Sequence, residues 1–374
     1  KTWRFWAPLL LLLGLEWLFR TGYWEDRVTL QSHAGRSVVT KRALASIDGS
    51  QVDYVTLGDS RARQGIHHKQ MAALARAFGK QHINLALPGS HFLSLKVLSR
   101  LALDQLPQLQ GMVLVIPPGF LQSMGNGEYE LGIVRPLRTY TDSWEMMNHV
   151  PVQAGHIPSW GSFSDFAGYR EDLLHWVNQR NDSERHEVNA LNIGRWWLEW
   201  TAEYPLQLCG IDWHSDDVCD SVAALSSADE AVANVQRYCR QSRGTMAVFK
   251  RGYDQWRAEK LPVLKQAWQV FLTDLGQRVD LVVVTLPQHS LFEQRSLMND
   301  AVSEADAFLA DLQQQGHIHW LDLRTALSAA EIAECAAFRD PWHLNQQGQQ
   351  IVSEQLEAYL RQHWYSSDEL AQTP

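Results

Sequence analysis

The sequence predicts an α/β protein with a three-layer α/β/α, Rossmann-like arrangement, in which helices cover both faces of a parallel central sheet. Short runs of apolar and β-branched residues recur along the chain and alternate with longer segments of helical pattern. Strands that alternate with helices imply a parallel sheet with helices on both faces. The predicted strands are 52–57, 81–87, 111–116, 279–287 and 317–323, and the predicted helices are 71–77, 93–105, 246–275, 301–315 and 349–363.

The first predicted strand ends in a turn that carries a candidate nucleophile. Residues 52–57 are mostly β-branched or aromatic, and Gly58, Asp59 and Ser60 follow them directly. A strand, a tight turn and a helix present a serine hydroxyl at the carboxyl edge of a parallel sheet. We therefore expect Ser60 to lie at that edge, where backbone N–H groups at the start of a helix can stabilise an oxyanion.

The remaining elements continue the same alternation. Residues 111–116 are apolar throughout and predict a fully buried strand. Residues 246–275 place large apolar side chains at helical spacing, and 279–287 return to a β-branched run. The last predicted strand, 317–323, is separated from the last predicted helix, 349–363, by a loop. This alternation brings the carboxyl ends of the strands to one edge of the sheet.

The loop before the last helix carries a carboxylate and an imidazole three residues apart, Asp340 and His343. A serine nucleophile needs a base that takes its proton. The base in turn needs a carboxylate that fixes its tautomer and stabilises the imidazolium. Asp340 and His343 can supply both groups, and we therefore expect a triad with Ser60.

Together these motifs resemble those of the SGNH or GDSL hydrolase superfamily. The Gly-Asp-Ser turn 58–60 matches the first block of the family, and Asp340 with His343 matches its last block, Asp-x-x-His. The resemblance implies that Ser60 is the nucleophile, His343 the base and Asp340 its orienting carboxylate. It also implies that the backbone N–H groups of Ser60 and of Gly89 or Ser90 form the oxyanion hole.

One block departs from the family pattern. Where the family has Gly-x-Asn-Asp after its third strand, this chain has Pro-Pro-Gly-Phe at 117–120 and lacks the asparagine that donates to the oxyanion. Loss of one such donor costs about 3 kcal/mol in the transition state. Unless a distant side chain such as Asn126 substitutes, the oxyanion hole is left with backbone donors.

Polar residues near these motifs are further candidates. We expect Gly58 and Asp59 to hold the nucleophile turn, and Arg61, His289 and Asn345 are candidate substrate contacts. Arg61 and the nearby Arg63 follow the nucleophile and suit an anionic substrate, with surface solvation as the alternative. His289 ends a predicted core strand, and a local role in its loop is the alternative.

Residues 1–22 predict a signal anchor. Basic residues precede five consecutive leucines, and tryptophans stand at both ends of the apolar run. No small-x-small cleavage site follows closely, which favours a retained single-pass anchor in the inner (cytoplasmic) membrane over a cleaved signal peptide. The run is shorter than the roughly 20 residues of a spanning helix and contains Glu16, so a tilted helix or one packed on another membrane protein fits. An ordinary buried helix is the third interpretation.

Export would place the four cysteines in the oxidising periplasm or another extracytoplasmic space. Cys209 and Cys219 are close enough to bridge a local loop, which leaves Cys239 with Cys335, although four cysteines permit three pairings. A zinc site is the weaker alternative because the short Cys-x-x-Cys spacing is absent. We expect neither a metal nor a cofactor.

The predicted SGNH-like domain spans 50–374 and is interrupted at 140–245 by an insertion rich in aromatic residues and cysteines. Exposed aromatic rings suit stacking on sugars or packing on a membrane partner, but buried ones form the core of a small helical subdomain. The second interpretation is favoured, since large aromatic side chains are usually buried. The net charge of −9 argues against a broad surface for nucleic acid.

The layout is similar to that of membrane-anchored SGNH-like proteins of alginate acetylation and of teichoic acid D-alanylation. The resemblance implies that Ser60 accepts an acyl group, with a membrane-bound O-acyltransferase as partner, and passes it to an exopolysaccharide or another envelope polymer. Two alternatives stay open. The same triad with water as acceptor gives a carbohydrate esterase or deacetylase, and a glycan-binding scaffold subunit of an envelope complex would need no catalysis.

Overall fold

The structure is a computed structural model of the chain, which forms two compact units built from segments separated in sequence. The described residues are 3–30, 32–122, 127–149, 164–165, 169–178, 194–200, 232–233, 236, 261–289, 299–340 and 342–365. The helical unit comprises 1–50, 87–107 and 124–198, and the sheet unit comprises 51–86, 108–123 and 199–374.

The sheet unit contains a five-stranded parallel sheet, which confirms the predicted α/β class with a parallel central sheet. Its strands are β1 (Tyr54–Leu57), β2 (His82–Asn84), β3 (Gly111–Ile116), β4 (Asp280–Thr285) and β5 (His319–Asp322). The strand order is β2-β1-β3-β4-β5. Because β2 and β3 lie on opposite sides of β1, the winding of the chain reverses at β1. Open α/β sheets place their sites outside the carboxyl ends of strands at such a reversal.

One face of the sheet packs against the helices Ser60–Gly65, His68–Ala77 and Gln346–His363. Val113 and Val115 of β3 belong to this core. The intervening residues of β3 point to the opposite face and are buried as well. Both faces of β3 are therefore covered, as expected of a central strand in a layered α/β fold.

The segment that follows β3 contacts two further helical segments of the sheet unit. The ring of Phe120 lies 4.7 Å from that of Trp268, in helical residues 261–276, and 6.1 Å from that of Phe308, in the helix Asn299–Gln314. The predicted helix 246–275 is thus helical from residue 261 onward. Its earlier part lies outside the described residues.

Several elements differ from the predicted ones, among them β2 and the loop before the last helix. Strand β2 is shorter than the predicted segment 81–87, because the Asn84 side chain accepts a hydrogen bond from the backbone N–H of Ala86 (2.8 Å) and turns the chain. The loop predicted before the last helix contains a short antiparallel pair, β6 (Phe338–Asp340) and β7 (His343–Leu344). This pair carries the candidate acid and base.

The described part of the helical unit is built from helices joined by aromatic contacts. The ring of Phe19 lies 5.1 Å from that of Trp24 and 5.8 Å from that of Tyr169. The indole N–H of Trp197 donates to the Thr40 hydroxyl at 2.8 Å. The longer helices are Trp3–Arg20, His33–Ala45, Phe92–Gln105, Gly127–Val134, Tyr140–His149 and Arg170–Asn178.

The aromatic residues of the predicted insertion do not share one environment. Tyr169 and Trp197 are buried, whereas Trp144 is 58% exposed and Trp196 is 49% exposed. Some therefore build a core and others face solvent. Other aromatic residues of this insertion, such as Trp160, lie outside the described residues.

The helix Trp3–Arg20 falls within the predicted anchor, and the side chains of its leucines 9–13 are between 40% and 65% exposed. Across the described residues, no helix combines the length and the apolar character needed to cross a membrane. The signal anchor stays a prediction.

Candidate active site

Ser60 is the first residue of a short helix that follows β1 after a two-residue turn. Gly58 makes this turn possible. Its φ of +153° suits glycine, and a Cβ at this position would lie 2.4 Å from the Ala62 Cβ and 2.9 Å from the Val115 carbonyl oxygen. Glycine therefore lets the start of the helix approach β3 closely, which fixes Ser60 at the carboxyl edge of the sheet.

Asp59 caps the helix that begins at Ser60. Its side chain accepts a hydrogen bond from the backbone N–H of Arg61 at 2.8 Å. The guanidinium of Arg61 also donates to Asp59, through Nε at 3.0 Å. The carboxylate thus satisfies a backbone donor that the helix itself leaves without a partner, which holds the nucleophile turn in shape.

His343 and Asp340 are brought together by the pair β6–β7, in which they lie directly opposite each other. The Nδ1 atom of His343 is 2.9 Å from each carboxylate oxygen of Asp340, and its Nε2 atom is 2.9 Å from the Ser60 Oγ. Because an ionised carboxylate only accepts hydrogen bonds, it fixes the imidazole proton on Nδ1. The Nε2 lone pair then faces the Ser60 hydroxyl, as a general base requires.

Asp340 is held as a carboxylate in a site that is almost completely buried. Burial acts to raise the pKa of Asp340, but hydrogen bonds from the His343 ring and from the backbone N–H groups of Trp342 and His343 leave this pKa below its ordinary value. Both backbone bonds go to Oδ1, at 2.9 Å each. The carboxylate is therefore ionised at neutral pH and fixed in orientation.

The C-terminal helix joins the serine and histidine sides of the site. The Gln349 side chain donates to the Gln64 carbonyl oxygen at 2.7 Å, and the Ser353 hydroxyl accepts a hydrogen bond from the backbone N–H of His67 at 2.8 Å. A Cβ at Gly348 would lie 2.3 Å from the Ala337 carbonyl oxygen. Glycine thus allows this helix to start against the segment that carries Asp340.

The three predicted substrate contacts have different surroundings. The Arg61 side chain is 15% exposed and pairs with Asp59. His289 is fully buried, 4.0 Å from a carboxylate oxygen of Glu334, which favours its local role. Asn345 is buried at the start of the last helix, where its side-chain oxygen accepts two backbone N–H bonds at 3.0 and 3.1 Å. This cap explains why the helix begins at 346 and not at the predicted 349.

The predicted oxyanion donors belong to different units. The N–H of Ser60 is at the first position of its helix, so it has no acceptor within that helix. Gly89 belongs to the helical unit, where its φ is +85°. Its pairing with Ser60 stays a prediction. Asn126, the suggested substitute donor, lies outside the described residues.

Arg63 lies in the helix that begins at Ser60, and its position in the sequence suggests a substrate contact but does not reveal that the side chain is buried. It is 1% exposed, donates to the Ala86 carbonyl oxygen at 3.4 Å, and its guanidinium carbon lies 5.2 Å from the centre of the Trp200 ring. These contacts join the helix Ser60–Gly65 to the end of the segment after β2. Only an Arg-x-Arg spacing marks this residue in the sequence, and such spacing is usual on solvated surfaces.

Cys335 is disulfide-bonded and lies in the short helix that precedes β6. The other cysteines, Cys209, Cys219 and Cys239, lie outside the described residues. The predicted pairing of Cys239 with Cys335 therefore stays a prediction. The bridge fixes a point five residues before Asp340 in the chain.

Comparisons of the sequence with protein-family models and with curated proteins find no match. A hydroxyl, an imidazole and a carboxylate in series, at successive distances of 2.9 Å, form the arrangement that activates a serine for attack on an acyl carbonyl.

Proposed function

We propose that this chain is an extracytoplasmic SGNH-like O-acyltransferase that carries an acyl group on Ser60 and passes it to a hydroxyl group of an envelope polysaccharide. The observation that carries the proposal is the continuous hydrogen-bonded series from Ser60 through His343 to Asp340. The Gly-Asp-Ser turn before a helix and the late Asp-x-x-His pair also support an SGNH-like assignment. Acetyl is the proposed acyl group.

The first half of the reaction loads the serine. The Ser60 Oγ attacks the carbonyl carbon of an acyl ester while Nε2 of His343 takes the hydroxyl proton. The negative charge that develops on the carbonyl oxygen is stabilised by backbone N–H donors, of which Ser60 supplies one. When the intermediate collapses, the ester C–O bond breaks and the departing alcohol takes the proton from His343. The product is an acyl ester of Ser60.

The second half repeats these steps with a new alcohol. His343 removes the proton of an acceptor hydroxyl, whose oxygen attacks the acyl carbon of the Ser60 ester. The Ser60 Oγ leaves and regains the proton from His343. In this scheme the proposed membrane-bound O-acyltransferase supplies the acyl donor. The shape of the cleft admits a sugar hydroxyl as the acceptor and excludes water.

The test uses the purified full chain in a mild detergent with p-nitrophenyl acetate as donor. Intact-mass spectrometry of the wild-type protein should show one added acetyl group, and peptide mapping should place it on Ser60. The Ser60→Ala variant should show no adduct. Ser328→Ala is the matched control, because Ser328 is an exposed serine of the same unit that bonds a local carbonyl oxygen.

The acceptor is identified by adding acetylation-competent oligosaccharides to the acetylated protein. Movement of the acetyl group to sugar supports the transferase, and release to water only would assign the esterase. An adduct of equal extent in Ser60→Ala would overturn the proposed nucleophile. Absence of any adduct together with glycan binding would favour the scaffold alternative.

A further inference from the structure

A second candidate site lies in the helical unit, at the end of its first helix. A cavity of about 360 Å³ is lined there by Arg20, the last residue of the helix Trp3–Arg20, and by Arg135, Arg138 and Asp165. Three guanidinium groups thus share one small space with one carboxylate among the lining residues that the structure describes. Such a concentration of one charge in a concave site favours a ligand of the opposite charge.

Hydrogen bonds and ion pairs hold two of the three arginines in place. Arg138 pairs with Asp165 and donates to the Ser143 hydroxyl at 2.7 Å. Arg20 donates to a Glu16 oxygen at 2.8 Å and also bonds the Tyr140 hydroxyl. The guanidinium groups of Arg20 and Arg138 are therefore oriented before any ligand arrives, which lowers the entropy that binding must overcome.

Among the described residues, positive charge around the cavity exceeds negative charge even when the nearby Glu16 is counted. Three arginines then face two carboxylates, Glu16 and Asp165. The side chain of Arg135 is fully buried, and that of Arg138 is 6% exposed. Burial, together with the positive charge of Arg138, lowers the pKa of Arg135 to about 9. A bound anion would stabilise these charges, because water does so only weakly in a buried site.

We propose that this cavity binds a phosphate group. Arginine presents a planar set of donors that matches phosphate oxygens, and several arginines around one space are typical of phosphate sites. The phosphate can belong to a lipid headgroup or be free in solution. The lipid source is favoured, because the helix that contributes Arg20 also exposes its leucines 9–13, which suit contact with acyl chains.

The binding test uses the purified full chain and three probes measured by calorimetry: inorganic phosphate, dihexanoyl phosphatidic acid below its micelle concentration, and dihexanoylglycerol, which lacks the phosphate. We expect both phosphate-bearing probes to bind and dihexanoylglycerol to bind at least about tenfold more weakly than phosphatidic acid. Tighter binding of phosphatidic acid than of inorganic phosphate would assign the lipid source. Equal affinities would assign free phosphate.

The variants change the charge of the cavity in both directions. Arg20→Gln and Arg138→Gln should each weaken phosphate binding by about tenfold or more, whereas Asp165→Asn should tighten it, because a competing carboxylate is removed. Arg42→Gln is the matched control, since Arg42 is a partly exposed arginine of the same unit that pairs with Asp26 outside the cavity. Thermal unfolding of each variant identifies loss of fold.

Equal phosphate affinity in wild type, Arg20→Gln, Arg138→Gln and Arg42→Gln would overturn the proposal. Weaker phosphate binding in a folded Asp165→Asn protein would also overturn it. If the ion pairs only maintained the structure, removing either the arginine or the aspartate should weaken binding. The gain expected for Asp165→Asn keeps the proposal testable if the arginine variants do not fold. Acylation of Ser60 serves as an independent readout that these cavity variants should leave unchanged.

Discussion

Asp340→Asn should remove the ability of His343 to act as a general base while leaving the shape of the candidate active site intact. Oδ1 of Asp340 accepts the backbone N–H groups of Trp342 and His343, at 2.9 Å each. In the variant the amide oxygen must keep this place, because an NH₂ group would face two donors. The amide NH₂ then lies at the position of Oδ2, 2.9 Å from Nδ1 of His343.

This placement reverses the tautomer of His343. The amide oxygen at the Oδ1 position is also 2.9 Å from Nδ1 and favours the original tautomer, whereas the donating NH₂ group at the Oδ2 position favours an accepting Nδ1 and moves the imidazole proton to Nε2. Nε2 would then donate to the Ser60 hydroxyl, 2.9 Å away, and could not take its proton. A carboxylate-to-amide change of this kind in a serine triad lowers turnover by about 10⁴-fold, which corresponds to about 5 kcal/mol of transition-state free energy.

The assay measures the initial rate of p-nitrophenyl acetate cleavage, with the Ser60→Ala rate subtracted as background. Asp306→Asn is the control, because it makes the same chemical change at a carboxylate that pairs with Arg324 away from the triad. The rate of Asp306→Asn should match that of the wild-type protein. The melting temperature of Asp340→Asn should stay close to that of the wild-type protein. A folded Asp340→Asn protein that loses less than about tenfold in rate would refute the tautomer argument.

Three further predictions concern stability, each measured by thermal or urea unfolding. Gly58→Ala should destabilise the protein by about 3 kcal/mol because its Cβ would lie 2.4 Å from the Ala62 Cβ. Gly79→Ala, at a φ of +70° with open space around it, should destabilise the protein by only about 1 kcal/mol. Equal losses of stability would contradict the crowding argument. Asn345→Ala should lose about 1 to 2 kcal/mol with the cap of the last helix, and an unchanged midpoint would contradict that role. Burial raises the pKa of Glu130 from 4.5 to about 7, so the folded state holds a proton that the unfolded state has released, and stability should fall by about 3 kcal/mol as the pH rises between these values. Glu130→Gln should flatten this slope, and a slope equal to that of wild type would contradict the assignment.

Local sequence patterns predict much of the sheet unit. The strand 111–116 is found with its predicted bounds, because an unbroken apolar run needs no knowledge of its neighbours. The residues of the candidate site are also nameable from the sequence, since Ser60 ends a strand–turn motif and Asp340 and His343 share one short segment. That Nε2 of His343 lies 2.9 Å from the Ser60 Oγ depends on the fold, which closes a separation of 283 residues.

Buried titratable groups escape prediction because their partners are distant in sequence. The carboxyl group of Glu130 accepts hydrogen bonds from the backbone N–H groups of Leu93 and Ser94, at 3.1 and 3.2 Å, and only the fold brings these together. Arg135 lies in the arginine-lined cavity for the same reason. A single sequence presents each of these as a charged residue, which is usually a sign of a solvated surface.

The pair β6–β7 also determines the order in which the site should come apart on heating. Contact between His343 and Asp340 closes a loop of three residues, whereas contact between His343 and Ser60 depends on the integrity of the whole sheet unit. Local pairs of this kind can outlast long-range ones in partial openings. The imidazole proton between His343 and Asp340 should therefore remain visible by NMR at temperatures where acylation of Ser60 has already ceased. Inactivation would then begin when Ser60 separates from a His343–Asp340 pair that is still intact.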